Sequence, residues 1–165
     1  MSLTTRNIRR IIEWLLLLTL LTPLVFVPIG FIFPYVVPKV LFFRTLVVMA
    51  GVLFLVGISY GRTGGEDRIS LRQRVTPLMV LMGVFLLVAG LSGIFGVDSW
   101  RSLWDTQERM LGFVTIVHYG VWFFLARSVY TTWTAWRRAL LWFLSASGLV
   151  IIIAIIQIFS PSFLF

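Results

Sequence analysis

The chain alternates between long apolar runs and short polar segments. A helix needs about 20 apolar residues to cross the hydrocarbon core of a bilayer, and five of the runs reach that length. These runs cover residues 11–30, 40–60, 75–95, 110–130 and 139–159. Because lipid offers the backbone no hydrogen-bond partner, and no alternating barrel pattern is present, each run is predicted to be helical. The predicted fold class for residues 1–165 is therefore all-α: a single transmembrane region, a polytopic bundle of about five spanning helices.

The polar segments between the runs contain the residues that break helices. Prolines at positions 28, 34 and 38 predict an extended interfacial turn over residues 31–39. Paired glycines interrupt the polar loop at 61–74, and residues 131–138 are predicted to be a short linker with two tryptophans at interface depth. The first run follows two arginines, as a signal peptide does, but it lacks a cleavage site of small residues and is predicted to remain as an anchor.

The composition places the chain in a membrane. Hydrophobic residues make up 59% of the chain and charged residues only 12%, with a mean hydropathy of +1.01. Soluble domains carry roughly 25% charged residues, so lipid is expected to cover the apolar surface. Cysteine is absent, which excludes disulfides and thiolate chemistry. With one histidine and six acidic residues, a metal site is not expected.

The net charge of +8 is gathered at the ends of the apolar runs. This distribution is typical of residues that orient a membrane protein and not of a nucleic-acid-binding surface. Ten basic residues fall on one side of the predicted bundle and four on the other. The side with ten is predicted to be cytoplasmic, with the N-terminus inside and the C-terminus outside. The chain is thus expected to cross the cytoplasmic (inner) membrane several times, with membrane lipids among its partners.

The segment 96–118, GVDSWRSLWDTQERMLGFVTIVH, interrupts the apolar pattern and is predicted to begin on the external face. Positive charge is under-represented on that face, so the orientation of the protein does not explain the presence of Arg101 and Arg109. An arginine fork binds two phosphate oxygens at once, which makes these two residues candidates for contact with an anionic lipid headgroup. Lys39 and Arg44 lie on the same side and are candidates to join them.

A structural interpretation of the same loop stays open. It predicts an interfacial half-helix in which Trp100 and Trp104 anchor the chain at the depth of the headgroups. The acidic residues of the loop then neutralise its arginines, with Asp105 and Arg109 four residues apart as an ion pair. Glu108 is the remaining acidic candidate in this loop.

His118 lies about two turns into the fourth run, where a polar side chain is a candidate functional residue. The structural alternative is a hydrogen bond to a neighbouring helix. His118 and Arg109 fall on opposite faces of a regular helix, so one compact site is not predicted. Glu13 is predicted to pair locally with Arg9 and Arg10. No catalytic residue is assigned, because the sequence contains none of the established catalytic motifs.

Four segments of the chain resemble one known family. KVLFFRTLVVMAGVLFL precedes FGVDSWR, which leads into SLWDTQERMLGFVTIVH, and WRRALLWFLSASGLVIIIAIIQIF follows. Together they resemble the N-terminal part of bacterial O-antigen ligase and O-antigen polymerase membrane proteins, in which an aromatic and acidic loop with a Glu-Arg-Met-x-Gly run leads into a membrane helix. The resemblance covers about residues 39–159, and its most specific part is ERMLG at 108–112.

The resemblance implies a glycan transferase of cell-surface polysaccharide biosynthesis. Such an enzyme moves sugar chains from undecaprenyl diphosphate to an acceptor on the outer face of the cytoplasmic membrane, without a nucleotide sugar, metal or other cofactor. It also implies that Arg109 and Arg101, supported by Lys39 and Arg44, contact the phosphates of the carrier.

The family has many more spanning helices, and its essential residues lie in a large external loop that residues 1–165 do not contain. The chain is therefore expected to be an N-terminal fragment that is inactive without its C-terminal half. The alternative is a non-enzymatic membrane scaffold or assembly partner.

Overall fold

The computed structural model describes residues 3–25, 36–63, 76–106 and 110–159, and every regular element within these ranges is helical. Six α-helices follow one another there: α1 Leu3–Thr19, α2 Val37–Thr63, α3 Pro77–Ile94, α4 Ser99–Trp104, α5 Phe113–Val129 and α6 Trp133–Phe159. A short 3₁₀ turn, Thr22–Leu24, follows α1. The all-α fold class predicted from the apolar runs is confirmed.

Three of the described helices are long and apolar enough to cross a membrane: α2 over Val37–Ser59, α3 and α6. The apolar helix α5 is shorter, with 17 residues. These four helices overlap the last four predicted runs. The described part of the chain is thus that of a membrane protein with three to four helices able to span, where the sequence pattern predicts about five.

The first predicted run, 11–30, differs most from the structure. Its helix, α1, begins earlier, at Leu3, and ends at Thr19, while residues 26–30 lie outside the described residues. Apolar residues recur along one face of α1 with charged residues between them, so this helix is amphipathic and not uniformly apolar. Pro23 lacks the backbone N–H that would continue the helix, and the chain enters the 3₁₀ turn there. Among the described helices, α1 therefore lacks the composition of a span.

The start of α2 also differs from the prediction. α2 begins at Val37, so Pro38 and Lys39 lie in its first turn, whereas the proline pattern predicts an extended turn over 31–39. Proline is tolerated in a first turn because the leading N–H groups of a helix have no intrahelical partner. Residues 31–35 lie outside the described residues.

Two helices extend into segments that are predicted to be loops. α2 continues through Thr63 into the predicted polar loop. α6 begins at Trp133, inside the predicted linker 131–138. The hydroxyl oxygen of Thr132 accepts a hydrogen bond of 3.3 Å from the backbone N–H of Ala135 at this start. A threonine in this position stabilises the first turn of a helix, which explains why α6 begins so early.

The core lies where α1 packs against α2, α5 and the first part of α6. Burying apolar side chains here stabilises the fold by about 25 cal/mol for each Å² removed from solvent. The buried members are Ile12, Leu16, Leu17, Ala50, Phe54, Leu125, Ala126, Val129, Tyr130 and Ala139. The amphipathic helix α1 supplies three of them, so its apolar face closes the core instead of facing lipid.

Polar contacts hold both ends of α1. Arg9 donates hydrogen bonds of 2.8 Å from Nη2 to the carbonyl oxygen of Val129 and to the hydroxyl oxygen of Thr131. Towards the other end, the indole N–H of Trp122 donates a hydrogen bond of 2.7 Å to the hydroxyl oxygen of Thr19. The N-terminal end of α1 therefore lies beside the C-terminal end of α5, and the two helices run antiparallel.

α1 is also joined to α6. Glu13 forms an ion pair with Arg138, with 3.0 Å between Oε1 and Nη1. The ring of Trp14 meets that of Trp142 edge-on, with centroids 6.2 Å apart. The predicted pairing of Glu13 within α1 is wrong, because Arg9 is directed towards the turn after α5.

α3 and α6 leave most of their apolar surface exposed. Only 11% of the most apolar window of each helix is buried inside the protein. α3 packs against α5 where Gly120 meets Leu86, since a Cβ on Gly120 would lie 2.6 Å from Leu86 Cδ1. Small residues permit this close approach of two helices. Lipid is expected to cover the apolar faces that remain.

Candidate functional site

The loop between α3 and α5 contains the short helix α4. This helix agrees with the half-helix that the structural interpretation of the loop predicts. Oδ1 of Asp98 accepts a hydrogen bond of 3.0 Å from the backbone N–H of Arg101 and so caps this helix. Trp100 and Trp104 follow on adjacent turns, with ring centroids 6.0 Å apart, and both rings are exposed. Exposed indole rings beside apolar helices are typical of the membrane interface.

Asp105 turns the chain at the end of α4. Its φ of +63° is positive, a backbone conformation that residues other than glycine rarely adopt. Its carboxylate accepts hydrogen bonds from the backbone N–H groups of Thr106, at 2.7 Å, and Leu111, at 3.1 Å, and so joins the two ends of the loop. Arg109 and Glu108 lie outside the described residues, so the ion pair between Asp105 and Arg109 stays a prediction.

Gly112 allows the loop to return close to α4. A Cβ on Gly112 would lie 2.6 Å from the carbonyl carbon of Trp104 and 2.7 Å from the backbone nitrogen of Asp105. Backbone atoms cannot move aside as the end of a flexible side chain does, so the position requires glycine. Gly112 is also the glycine of the Glu-Arg-Met-x-Gly run, which gives that part of the motif a steric reason.

Arg44 connects α2 to the end of this loop. Its Nη2 donates hydrogen bonds to the carbonyl oxygen of Met110, at 3.2 Å, and to the hydroxyl oxygen of Thr115. Thr115 is buried, and its own hydroxyl donates to the same Met110 carbonyl. The sequence predicts Arg44 as a phosphate contact, whereas the structure shows part of its guanidinium engaged by the chain itself. Arg44 thus holds the loop against the membrane helices.

Lys39 lines a cavity of about 440 Å³ between the 3₁₀ turn, α2, α5 and α6. Thr115 lines the same cavity. In the described part of the chain, the ammonium group of Lys39 has neither a hydrogen-bond partner nor an ion-pair partner. Lys39 and Arg44 therefore both lie near the loop, but their side chains have different neighbours.

Arg101 is exposed on α4. No acidic side chain among the described residues forms an ion pair with it. Three of the four predicted basic residues, Arg101, Lys39 and Arg44, thus lie at one end of the bundle. An exposed guanidinium without an acidic partner is available to an anion from outside the protein.

His118 is half-buried on α5, with Nδ1 2.7 Å from the carbonyl oxygen of Val114. That carbonyl lies one turn earlier in the same helix. The predicted hydrogen bond to a neighbouring helix is therefore wrong. A hydrogen bond within the helix satisfies one ring nitrogen without help from the loop, and it links His118 to none of the candidate residues that the structure describes.

A second polar cluster lies at the opposite end of the bundle. Tyr130, in the turn between α5 and α6, is 2% exposed and packs on Trp136 with ring centroids 5.3 Å apart. Its hydroxyl has no hydrogen-bond partner among the described residues. Burial raises the pKa of Tyr130, the nearby carboxylate of Glu13 raises it further, and the charge of Arg138 opposes both effects. The neutral phenol is thus the form that this packing favours.

Thr115 is the site residue that sequence reasoning missed. It is separated from Arg44 by 71 positions, and a threonine inside an apolar run carries no local signal for a distant partner. The cap of α4, by contrast, does have a local signal in the sequence. Asp98 stands directly before the Ser-Trp-Arg segment, and aspartate is a common residue at the start of a helix.

Comparison of the chain with models of known protein families, with curated proteins and with solved structures gives no match. Fold and site alone therefore define the class of protein. It is an α-helical membrane protein whose loop between α3 and α5 carries an exposed arginine and is tied to α2 by Arg44.

Proposed function

We propose that this chain is the N-terminal membrane portion of an O-antigen ligase-like glycan transferase. The complete enzyme moves sugar chains from undecaprenyl diphosphate to an acceptor on the outer face of the cytoplasmic membrane. The observation that carries the proposal is the exposed Arg101 on a loop that Arg44 holds against the membrane helices. A guanidinium on a fixed loop suits recognition of a lipid-linked phosphate at the membrane surface.

The proposed orientation has the N-terminus in the cytoplasm and the loop outside. Arg9 contacts the turn after α5, so the start of α1 lies at the bundle end opposite the loop. Arg137 and Arg138 lie in the first turns of α6 at that same end. Positive charge is concentrated on the cytoplasmic side of membrane proteins, which supports an external position for the loop.

Transfer from a lipid diphosphate breaks the bond between the sugar and the diphosphate oxygen, so negative charge develops on the diphosphate. Arg101 and Arg109 are proposed to neutralise this charge, because guanidinium groups remain protonated and bind two phosphate oxygens together. Arg44 positions the loop that carries them. The general base that accepts the proton of the acceptor hydroxyl is expected from the C-terminal half of the enzyme.

Binding of undecaprenyl diphosphate to the full chain in lipid nanodiscs tests this proposal. Arg101→Gln and Arg109→Gln are each expected to weaken binding by about tenfold, because each removes a charge-assisted contact to phosphate. Arg10→Gln is the matched control, since Arg10 is an exposed arginine on α1 near the opposite end of the bundle. Its substitution should leave binding unchanged. Equal binding by the wild type and by both loop variants would exclude these arginines as carrier contacts.

A membrane scaffold is the second candidate function. The exposed apolar faces of α3 and α6 favour it, because partner helices bind to such faces in larger assemblies. A scaffold is expected to be isolated with one partner in fixed stoichiometry and to bind the carrier no better than other anionic lipids. Selective carrier binding that depends on Arg101 would favour the transferase.

A further inference from the structure

The cavity beside Lys39 is a candidate lipid site that does not depend on the loop. A partly open cavity of about 440 Å³ lies between the 3₁₀ turn, α2, α5 and α6, and apolar side chains such as Leu20, Val40 and Phe143 line most of it. Ligand pockets in proteins occupy about 300–1,000 Å³ and are mostly apolar with a few polar groups. The cavity therefore has the size and the lining of a small ligand pocket.

Most polar groups in this cavity are already engaged by the protein. The hydroxyl of Thr19 accepts from Trp122 and donates to the carbonyl of Leu16, and the hydroxyl of Thr115 is bonded to Met110 and Arg44. The ammonium of Lys39 has no partner among the described residues. The phenol ring of Tyr119 packs on Phe43, with centroids 4.9 Å apart, and lines the same cavity. One positive charge thus remains available beside an apolar cavity.

We propose that this cavity binds one anionic glycerophospholipid of the surrounding bilayer, with phosphatidylglycerol as the reference ligand. The phosphate contacts Lys39, and part of one acyl chain occupies the apolar cavity. Charge favours this lipid, because the headgroup of phosphatidylglycerol carries a net charge of −1 and the cavity offers one cation, whereas phosphatidylcholine has no net charge. A diphosphate carries more negative charge than Lys39 alone balances, and an unbalanced charge away from water is costly. This inference does not rest on the proposed glycan transfer.

Native mass spectrometry of the full chain, released from nanodiscs of equal phosphatidylglycerol and phosphatidylcholine, measures the lipid that stays bound. The wild type is expected to retain phosphatidylglycerol over phosphatidylcholine by about tenfold, the effect of one charge-assisted contact. Lys39→Gln should abolish the preference, and Lys39→Arg should preserve it. Arg10→Gln is the charge-matched control, because it removes one positive charge from an exposed position of α1. It should keep the preference, because Arg10 does not line the cavity.

A second pair of variants tests the apolar part of the site without changing charge. Val40→Phe places a larger side chain in the cavity and should reduce the retention of both lipids. Val52→Phe makes the same substitution at an exposed position of α2 and should have no effect. This pair also keeps the proposal testable if a variant of Lys39 does not fold.

Three results would overturn the proposal. The first is equal retention of the two lipids by the wild type, and the second is an undiminished preference in Lys39→Gln. The third is displacement of phosphatidylglycerol by an equimolar amount of undecaprenyl diphosphate in the wild type, which would assign the cavity to the carrier. None of these results bears on the carrier contacts of Arg101 and Arg109, which the loop variants test separately.

Discussion

Arg44 on α2 and Thr115 on α5 are joined by a hydrogen bond from the guanidinium Nη2 to the hydroxyl oxygen, although 71 positions separate them. Both side chains also donate to the carbonyl oxygen of Met110, where the loop ends. Two helices and one loop therefore meet at three polar groups. In surroundings of low polarity, a shared network of this kind is worth more than its separate bonds.

Arg44 and Thr115 are expected to contribute to stability as a pair. Arg44→Met and Thr115→Val should each lower the free energy of unfolding, and the double variant should lose less than the sum of the two. The expected coupling is about 1 kcal/mol, since residues within one hydrogen-bond network couple by roughly 0.5–3 kcal/mol. Equilibrium unfolding in mixed detergent micelles measures it. Strictly additive losses would mean that the two side chains act independently.

Gly112→Ala is expected to push the end of the loop, at Gly112, away from the C-terminal end of α4. The added Cβ would lie against backbone atoms of Trp104 and Asp105, so the destabilisation should be about 1–3 kcal/mol, as for other overpacked positions. Gly51→Ala is the matched control, because a Cβ on Gly51 meets nothing within 4 Å. The thermal midpoint and the fluorescence of the loop tryptophans report both variants. A Gly112→Ala protein as stable as Gly51→Ala would contradict the close approach.

Stability at high pH is expected to depend on Tyr130. Because burial raises the pKa of Tyr130, the folded chain holds the phenol proton more tightly than the unfolded chain does. The stability from this group is fully present below the unfolded value of about 10 and is lost as the pH rises above it. The thermal midpoint should therefore fall less steeply in Tyr130→Phe than in the wild type between about pH 9 and about pH 11.

Tyr119→Phe is the control for this titration, because Tyr119 is 49% exposed while Tyr130 is 2% exposed. It should lose stability with pH as the wild type does. If the thermal midpoints of the wild type, Tyr130→Phe and Tyr119→Phe fall equally steeply as the pH rises, Tyr130 is not the cause of the loss of stability.

The apolar pattern predicts most of the helices but not the start of the chain. Four runs with at most one charged residue each correspond to α2, α3, α5 and α6, because length and hydropathy are sufficient signals for helices in lipid. α1 carries Arg9, Arg10 and Glu13 between its apolar residues, so a search for uniform hydropathy places the run too late. The apolar residues of α1 recur with the period of a helix, and this periodicity is the signal that locates α1 in the sequence.

The partners of polar residues were harder to predict than the helices. Glu13 pairs with Arg138, and His118 bonds within its own helix to Val114. Charge and spacing along the chain identify candidate residues, but the partner depends on how the helices pack. The α4 half-helix was predictable because its cap and its interfacial tryptophans are local.

Every function proposed for the loop depends on its facing the outside of the cell, with the turn between α5 and α6 facing the cytoplasm. Because the chain contains no cysteine, single cysteines report this directly. Val97 and Thr134 are exposed positions at the two ends of the bundle. The measurement is labelling of Val97→Cys and Thr134→Cys in intact spheroplasts by a membrane-impermeant maleimide. We predict that Val97→Cys is labelled at once and Thr134→Cys only after permeabilisation; labelling in the reverse order, or of both positions from one side, would contradict the proposed orientation.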